Sequence, residues 1–139
     1  MADQSVSAVM AIASSGLRAQ QARMRIIAEN IANADSTAKT PDGDPYRRQS
    51  PIFQPTQVAA GAEGVKMAQV VPDSTDFKLE YAPGNPAANK QGYVKLPNVD
   101  PLIEALDMRE AQRAYEANLN VIETSRAMQM RALDLLKGG

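Results

Sequence analysis

Residues 10–34 read MAIASSGLRAQQARMRIIAENIANA, and this stretch decides the fold. Apolar residues recur in it every seven positions, the spacing of a helix that packs lengthwise against another helix. The members of this first row are Met10, Leu17, Met24 and Ile31, with Ala13, Ile27 and Ala34 beside them. The pattern predicts a long helix from about residue 3 to about residue 34.

A second row on the same helix consists of Ile12, Ala19, Ile26 and Asn33. Each member follows a member of the first row by two residues, which turns an α-helix by about 200°, so the rows face opposite ways. A helix with one neighbour needs only one apolar face. We expect the first row to face the chain's own C-terminal helix. Since the chain offers no third long helix, we expect the second row to pack on another chain.

A second long helix is predicted for the C-terminal segment. It opens at Asp100, whose side chain suits a cap, and at Pro101, which suits the first helical position. Its heptad row consists of Ala114, Val121, Met128 and Leu135, widened by Tyr115, Ile122 and Leu136 and flanked by the smaller Asn118, Ser125 and Ala132. Charges spaced by three, such as Glu110 and Arg113, indicate either a solvated face or ion pairs between subunits.

Between the helices the sequence changes character. All nine prolines fall between Pro41 and Pro101. VKMAQVV (65–71), FKLEY (77–81) and GYVKL (92–96) are typical of strands, and the last two could pair as a hairpin. The stretches PDGDP and GAEG are turn signals.

The predicted fold class is mainly α with a small β-rich middle. Residues 1–34 and 98–139 are expected to pair as a helical coiled-coil domain, and residues 35–97 to form a Pro/Gly-rich domain of β-hairpin and loops.

Composition excludes several classes of function. A net charge of −1 gives no long-range attraction to nucleic acid, and no apolar run is long enough to span a bilayer. The absence of His and Cys removes the commonest general base and metal ligands. Asp42 and Asp44 are a weak candidate for a hard cation, because Tyr46 stands where the next oxygen ligand belongs. We therefore expect neither an enzyme nor a cofactor or metal, and no small-molecule substrate.

Asn30 and Asn33 interrupt the apolar pattern near the end of the first helix. A buried carboxamide in a coiled-coil row can fix register by bonding to a neighbouring helix. Alternatively, Asn33 ends the helix, since Asn, Asp and Ser compete for backbone hydrogen bonds. The sequence leaves both interpretations open.

Five segments carry a resemblance to a known family: NIANADST, PYRRQSPIFQ, YAPGNP, QGYVKLPNVD and DMREAQRAYEANLNVIETSRAMQMRALDLL. They resemble the axial proteins of the bacterial flagellum, the family of rod, hook and hook-associated subunits. The short Pro-rich middle is similar to that of proximal-rod subunits. The insert AKTPDGD, which separates Thr37 from Pro45, departs from the Thr-Pro-Gly-Tyr of many axial relatives.

The resemblance implies a structural, non-enzymatic subunit of the basal-body rod. Copies would assemble helically, with one another and with other rod proteins, around a central channel, and the rod would carry motor torque across the periplasm. The subunit would be exported in an unfolded state through the flagellar type III export apparatus, without a cleaved signal peptide. The alternatives are another rod or hook-type axial subunit, or a non-flagellar helical adaptor.

Eighteen residues are predicted to lie at subunit interfaces. They are Met10, Ile12, Leu17, Met24, Ile26, Ile27, Asn30, Ile31, Asn33, Tyr46, Arg47, Arg113, Tyr115, Asn118, Val121, Ile122, Met128 and Leu135. Tyr46 and Arg47 belong to this set because Tyr and Arg are enriched as interface anchors, although a solvated basic turn explains them equally well.

Overall fold

The computed structural model describes residues 2–138. In chain order the elements are α1 (Ala2–Ala32), β1 (Gln49–Ala59), β2 (Ala62–Pro72), β3 (Lys78–Tyr81), β4 (Tyr93–Leu96) and α2 (Pro101–Lys137). Two long helices that contact each other, with small hairpins between them in sequence, confirm the predicted fold class. Met1 and Gly139, the outer ends of the predicted helical domain, lie outside the described residues.

The helix ends follow the local sequence. Asn33 Nδ2 donates to the carbonyl of Glu29 at 2.9 Å, and Asn33 Oδ1 accepts a hydrogen bond from Ser36 Oγ at 3.0 Å. The side chain thus satisfies a carbonyl of the last turn, which confirms the interpretation that Asn33 ends α1. At the start of α2, Asp100 Oδ1 accepts from the backbone N–H of Leu102 at 3.0 Å, as its predicted role as a cap requires.

The predicted hairpin is confirmed by β3 and β4, which pair antiparallel with Lys78 opposite Leu96 and Tyr81 opposite Tyr93. The two tyrosine rings meet edge to face, with centroids 5.4 Å apart. Gly92 precedes β4 with φ of 87°, and a Cβ there would lie 2.7 Å from the Tyr81 ring. Only glycine fits this position without strain.

The second hairpin pairs β1 with β2 through the connection Ala60-Gly61. The sequence predicts β2, but β1 is not among its predicted strands. Pro51 and Pro55 lie within β1, and proline normally argues against a strand because it cannot donate to the ladder. Gly61 has φ of 73° in the turn, a conformation that suits glycine.

The described chain forms two compact units, each made of three segments. The first unit contains the segment that ends at Met24, the segment from Ile52 to Gln69 and the segment that begins at Arg109. The second unit contains Arg25–Pro51 and Val70–Met108. No helix within residues 2–138 combines the length and apolar character needed to cross a membrane.

In the first unit the helices approach closely because their contacting residues are small. A Cβ on Gly16 of α1 would lie only 2.8 Å from the carboxamide of Asn118 on α2. Further along, Arg23 forms an ion pair with Glu110 at 3.6 Å. The contact that lies later in α1 lies earlier in α2, so the two helices run antiparallel in this unit.

Another side of α1 is covered by the β1–β2 hairpin. Ser15 Oγ accepts a hydrogen bond from the N–H of Val65 at 3.1 Å, and a Cβ on Gly64 would lie 2.3 Å from that oxygen. Ala19, from the second apolar row, is buried in the same unit and lines a groove with Val58 and Val65. The expectation that only another chain could cover the second row is therefore wrong for Ala19, because the β1–β2 hairpin of the same chain lies against it.

The second unit has a mixed core. Ile26, Ile27, Val94 and Val99 are buried, and so are the polar side chains of Asn30 and Glu104. Ile26 was expected to face a neighbouring subunit. It is buried within its own chain instead, so the prediction that its row is open to another chain is wrong here as well.

Candidate subunit interface

Asn30 organises the loop that enters β1. Its Nδ2 donates to the carbonyl of Gln49 at 2.9 Å, and its Oδ1 accepts from the N–H of Gln49 at 2.9 Å and from the hydroxyl of Tyr46 at 2.7 Å. All three hydrogen bonds join residues of one chain. Its partners lie in the loop before β1 and at the first residue of that strand, so the interpretation that Asn30 bonds to a neighbouring helix is wrong for these three hydrogen bonds.

Tyr46 is likewise held within the chain by its bond to Asn30. Burial, reinforced by the negative charges of Glu29 and Glu104, raises the pKa of the Tyr46 hydroxyl. The phenol therefore stays neutral and keeps its proton available to Asn30.

Arg47 also has intramolecular partners. Its Nη1 donates to the carbonyls of Asp73 at 2.7 Å and Thr75 at 2.9 Å. Its guanidinium lies 4.1 Å from the centre of the Phe77 ring, within the range of a cation–π contact. Arg47 thus anchors the segment after β2, and the expectation of a solvated basic turn does not describe it.

Arg48 is the centre of an ion-pair cluster that we call the Arg48 cluster, formed with Asp73, Glu104 and Asp107. Arg48 Nε donates to Glu104 Oε1, and the terminal guanidinium nitrogens lie 3.3 Å from Asp73 and 3.7 Å from Asp107. Glu104 is 0% exposed. The cluster therefore fixes the start of α2 against the residues that flank β1 and β2.

The electrostatics of the Arg48 cluster favour the charged forms of Arg48 and Asp73. Burial lowers the pKa of Arg48, but its hydrogen bonds and charge interactions with Glu104 and Asp73 together outweigh burial and raise that pKa. The pKa of Asp73 is lowered, first by hydrogen bonds from the backbone and side chain of Thr75 and then by Arg48. Because three carboxylates share one guanidinium, the cluster leaves negative charge at the start of α2.

The face of α2 that packs inside the first unit is not the predicted heptad row. Ala111 and Ser125 are buried there, and Tyr115, Asn118 and Ile122 between them are partly buried. Asn118 was predicted to flank the heptad row and to lie at a subunit interface, and Ser125 was predicted only to flank the row. The small residues are favoured because they let the α1 backbone approach, as Gly16 does beside Asn118.

The heptad row is instead exposed, increasingly so toward the end of the helix. Val121 is 40% exposed, Met128 54% and Leu135 79%. These three members of the row were predicted to lie at subunit interfaces, and that contact stays a prediction. Within residues 2–138, Met128 and Leu135 leave more than half of their surface uncovered.

The eighteen predicted interface residues divide into three groups. Buried within the chain are Ile26, Ile27 and Asn30. Partly buried are Met10, Leu17, Met24, Asn33, Tyr46, Arg47, Tyr115, Asn118 and Ile122. Exposed are Ile12, Ile31, Arg113, Val121, Met128 and Leu135. The exposed group is the most accessible to a neighbouring subunit in the isolated chain.

Sequence reasoning missed two features of the site. The apolar side chains of Leu102, Ile103 and Leu106 are exposed at the start of α2, on the side of the helix away from buried Glu104. Their spacing of three and four residues is a signal that could have identified them. Nothing in the sequence pointed to Glu104 as the buried partner of Arg48, because the two lie 56 residues apart.

Family models match both ends of the chain. Residues 10–38 match the family described as flagella basal body rod protein, and residues 90–135 match the family described as flagellar basal body rod FlgEFG protein C-terminal. The first match covers most of α1 and includes Asn30 and Asn33, which we call the asparagine motif. The second match covers β4 and nearly all of α2.

Whole-length relatives agree with these matches. The flagellar basal-body rod protein FlgC of Agrobacterium fabrum is 51% identical over 95% of this chain and 96% of the relative. FlgC of Escherichia coli O6:H1 is 45% identical over 89% of this chain and 92% of its own length. FlgC of Bacillus subtilis is 38% identical, with 91% and 95% covered. The chain therefore belongs to the FlgC family of flagellar basal-body rod proteins, which are structural subunits of the rod and not enzymes.

Proposed function

We propose that this rod subunit assembles helically with copies of itself and with other rod proteins, and that its terminal helices form the wall of a central channel. In this proposal residues 1–34 and 98–139 make the inner helical layer, and residues 35–97 make the outer domain. The assembled rod transmits motor torque across the periplasm. Each subunit reaches its place unfolded, through the flagellar type III export apparatus, without cleavage of a signal peptide.

The observation that carries the proposal is the exposed row of Val121, Met128 and Leu135. A fully exposed apolar side chain of this size forgoes about 1.5–3 kcal/mol of burial free energy, and a partly exposed one forgoes correspondingly less. Contiguous apolar surface usually marks an interaction site. The heptad spacing of the row is that of a helix seam. A neighbouring helix is therefore the partner that fits it best.

The remaining exposed members of the predicted set support the same assembly. Ile12 lines a shallow groove with Val9, Asn118 and Val121 in the first unit. An apolar side chain from a neighbouring helix would fill such a groove. Arg113 is exposed on α2 and could pair with a carboxylate of another subunit.

Adjacent substitutions on α2 test the proposal. We expect Val121→Asp to leave the isolated chain folded, because Val121 is already exposed, but to prevent incorporation into rods and to abolish motility. Burying the new carboxylate at a subunit contact would cost several kcal/mol. Asn120→Asp is the matched control, since it adds the same charge one position away at an exposed polar site. Circular dichroism checks folding, and basal-body composition and swimming check assembly. Normal rods and normal swimming with Val121→Asp would contradict the proposal.

A further inference from the structure

The two ends of α2 carry separate apolar surfaces that neither the family match nor the predicted interface set assigns. The start surface consists of Leu102, Ile103 and Leu106, all exposed. The end surface consists of Met130, Leu133 and Leu136, also exposed. Leu106 follows Ile103 by three residues and Leu102 by four, and the members of the end surface are three residues apart, so each set lies on one side of the helix.

The end surface continues the inward-facing series of α2 beyond the point where the chain covers it. In the first unit the packed positions Ala111, Asn118 and Ser125 are buried or partly buried. Leu133 and Leu136 lie eight and eleven residues after Ser125, on the same side of the helix, yet both are exposed. The apolar side of α2 therefore extends beyond the residues that the first unit buries.

The two surfaces have opposite charge around them. Between Asn98 and Met108 the chain has Asp100, Glu104 and Asp107 and no lysine or arginine. Arg48 is shared among three carboxylates, Lys78 Nζ lies 3.4 Å from the carbonyl of Val99, and Arg109 follows Met108. Four carboxylates (Asp73, Asp100, Glu104 and Asp107) against these three cations leave an acidic excess of one charge. Between Ser125 and Gly138 the chain instead has Arg126, Arg131 and Lys137 against Asp134. An acidic apolar surface and a basic apolar surface are complementary to each other, and neither is complementary to itself.

We infer that the end surface of one copy docks on the start surface of a second copy. The contact joins two different surfaces, so each added copy leaves one of each kind free and the assembly can continue. This inference rests on the proposed rod assembly and names one contact within it. With three large side chains on each side, against roughly 20–30 residues a side in a stable pair, the contact is weak unless other contacts reinforce it.

Cysteine cross-linking tests the pairing directly, because the chain has no native cysteine. Two variants of the full chain, Ile103→Cys and Leu133→Cys, are mixed at high protein concentration under mild oxidation. We expect the disulfide between the two variants to form about tenfold faster than either variant links to itself, which corresponds to the burial of one large apolar side chain. Raising the salt concentration should reduce this excess, since Asp100 on one side and Arg126, Arg131 and Lys137 on the other are exposed.

The control replaces Ile103→Cys with Leu79→Cys, which is more exposed and lies on β3 of the same unit. Equal cross-linking of Leu79→Cys to Leu133→Cys would show random collision and overturn the pairing. Faster linking of Leu133→Cys to itself would show that the two end surfaces pair with each other, which also overturns it. So would a cross-link from Ile103→Cys to a different rod protein in isolated basal bodies. If the pairing fails while Val121→Asp still blocks incorporation, only this contact is lost and the proposed assembly stands.

Discussion

The two compact units contain parts of the same two helices but are packed by different chemistry. In the described part of the first unit, every buried residue is an alanine or a serine, namely Ala13, Ser15, Ala19, Ala62, Ala111 and Ser125. In the second unit, larger aliphatic side chains are buried together with Asn30 and the charged Glu104. One unit is therefore built on close backbone approach, and the other on an aliphatic core that includes hydrogen-bonded Asn30 and the ion pair of Arg48 with Glu104.

The difference shows where each unit obtains its stability. Small side chains bring backbones together but bury little apolar area each, so the first unit gains little from its own core. Its large apolar residues, such as Met128 and Leu135, are exposed and available to neighbours. In the second unit, breaking the ion pair of Arg48 with Glu104 would leave a buried charge unpaired, which destabilises the fold strongly. Damage should therefore unfold the second unit and, in the first unit, chiefly impair assembly.

The largest expected effect is that of Arg48→Met. This substitution leaves buried Glu104 without its cation, and loss of one partner of a buried ion pair costs about 3–5 kcal/mol. Chemical denaturation of the full chain measures the loss. Adding Glu104→Met to the variant should recover part of it, because no uncompensated charge then remains. Arg113→Met, at an exposed position, is the control and should change stability by less than about 0.5 kcal/mol. Equal losses for Arg48→Met and Arg113→Met would remove the distinction between the units.

An intermediate effect is expected for Gly64→Ala in the first unit. The added Cβ would lie 2.3 Å from Ser15 Oγ and 2.8 Å from a methyl group of Val58, so β2 would have to move away from α1. Overpacking of this kind costs about 1–3 kcal/mol. Gly84→Ala is the matched control, since a Cβ there meets nothing within 4 Å, and it should be neutral or stabilising by up to about 1 kcal/mol. Thermal denaturation compares the two variants, and equal melting temperatures would show that close approach does not limit this unit.

The smallest expected effect is the acid sensitivity of the second unit. The folded pKa of Asp73 is lowered by its hydrogen bonds from Thr75 and by Arg48, so its contribution to stability is present above the unfolded pKa and lost as pH falls through the folded pKa. Solvent screening keeps the effect under about 1 kcal/mol. Denaturation midpoints measured between about pH 5 and about pH 2 should fall more steeply for the wild type than for Asp73→Asn. Parallel curves would show that Asp73 adds nothing to acid stability.

The sequence by itself determined the helices, their caps and the β3–β4 hairpin. Heptad spacing, Asp100-Pro101 and the strand-like runs are local signals that do not depend on the rest of the molecule. The asparagine motif and the C-terminal run also pointed to the correct family before any contact was known. By contrast, β1 was not predicted, because it contains two prolines and proline locally disfavours a strand. The strand forms because it pairs with β2, and this pairing is not visible in the local sequence.

Only the tertiary structure decided which face of each helix lies inside. Periodicity identifies apolar rows, but it cannot say which row allows the closest approach of two backbones. In the structure, Gly16 lies close to Asn118 and Gly64 lies close to Ser15, so the packed faces are those with small residues. Val121 and Leu135 are exposed as a result. The pairing of Arg48 with Glu104 was equally beyond the sequence, since a charge 56 residues away becomes a partner only when the fold excludes water around it.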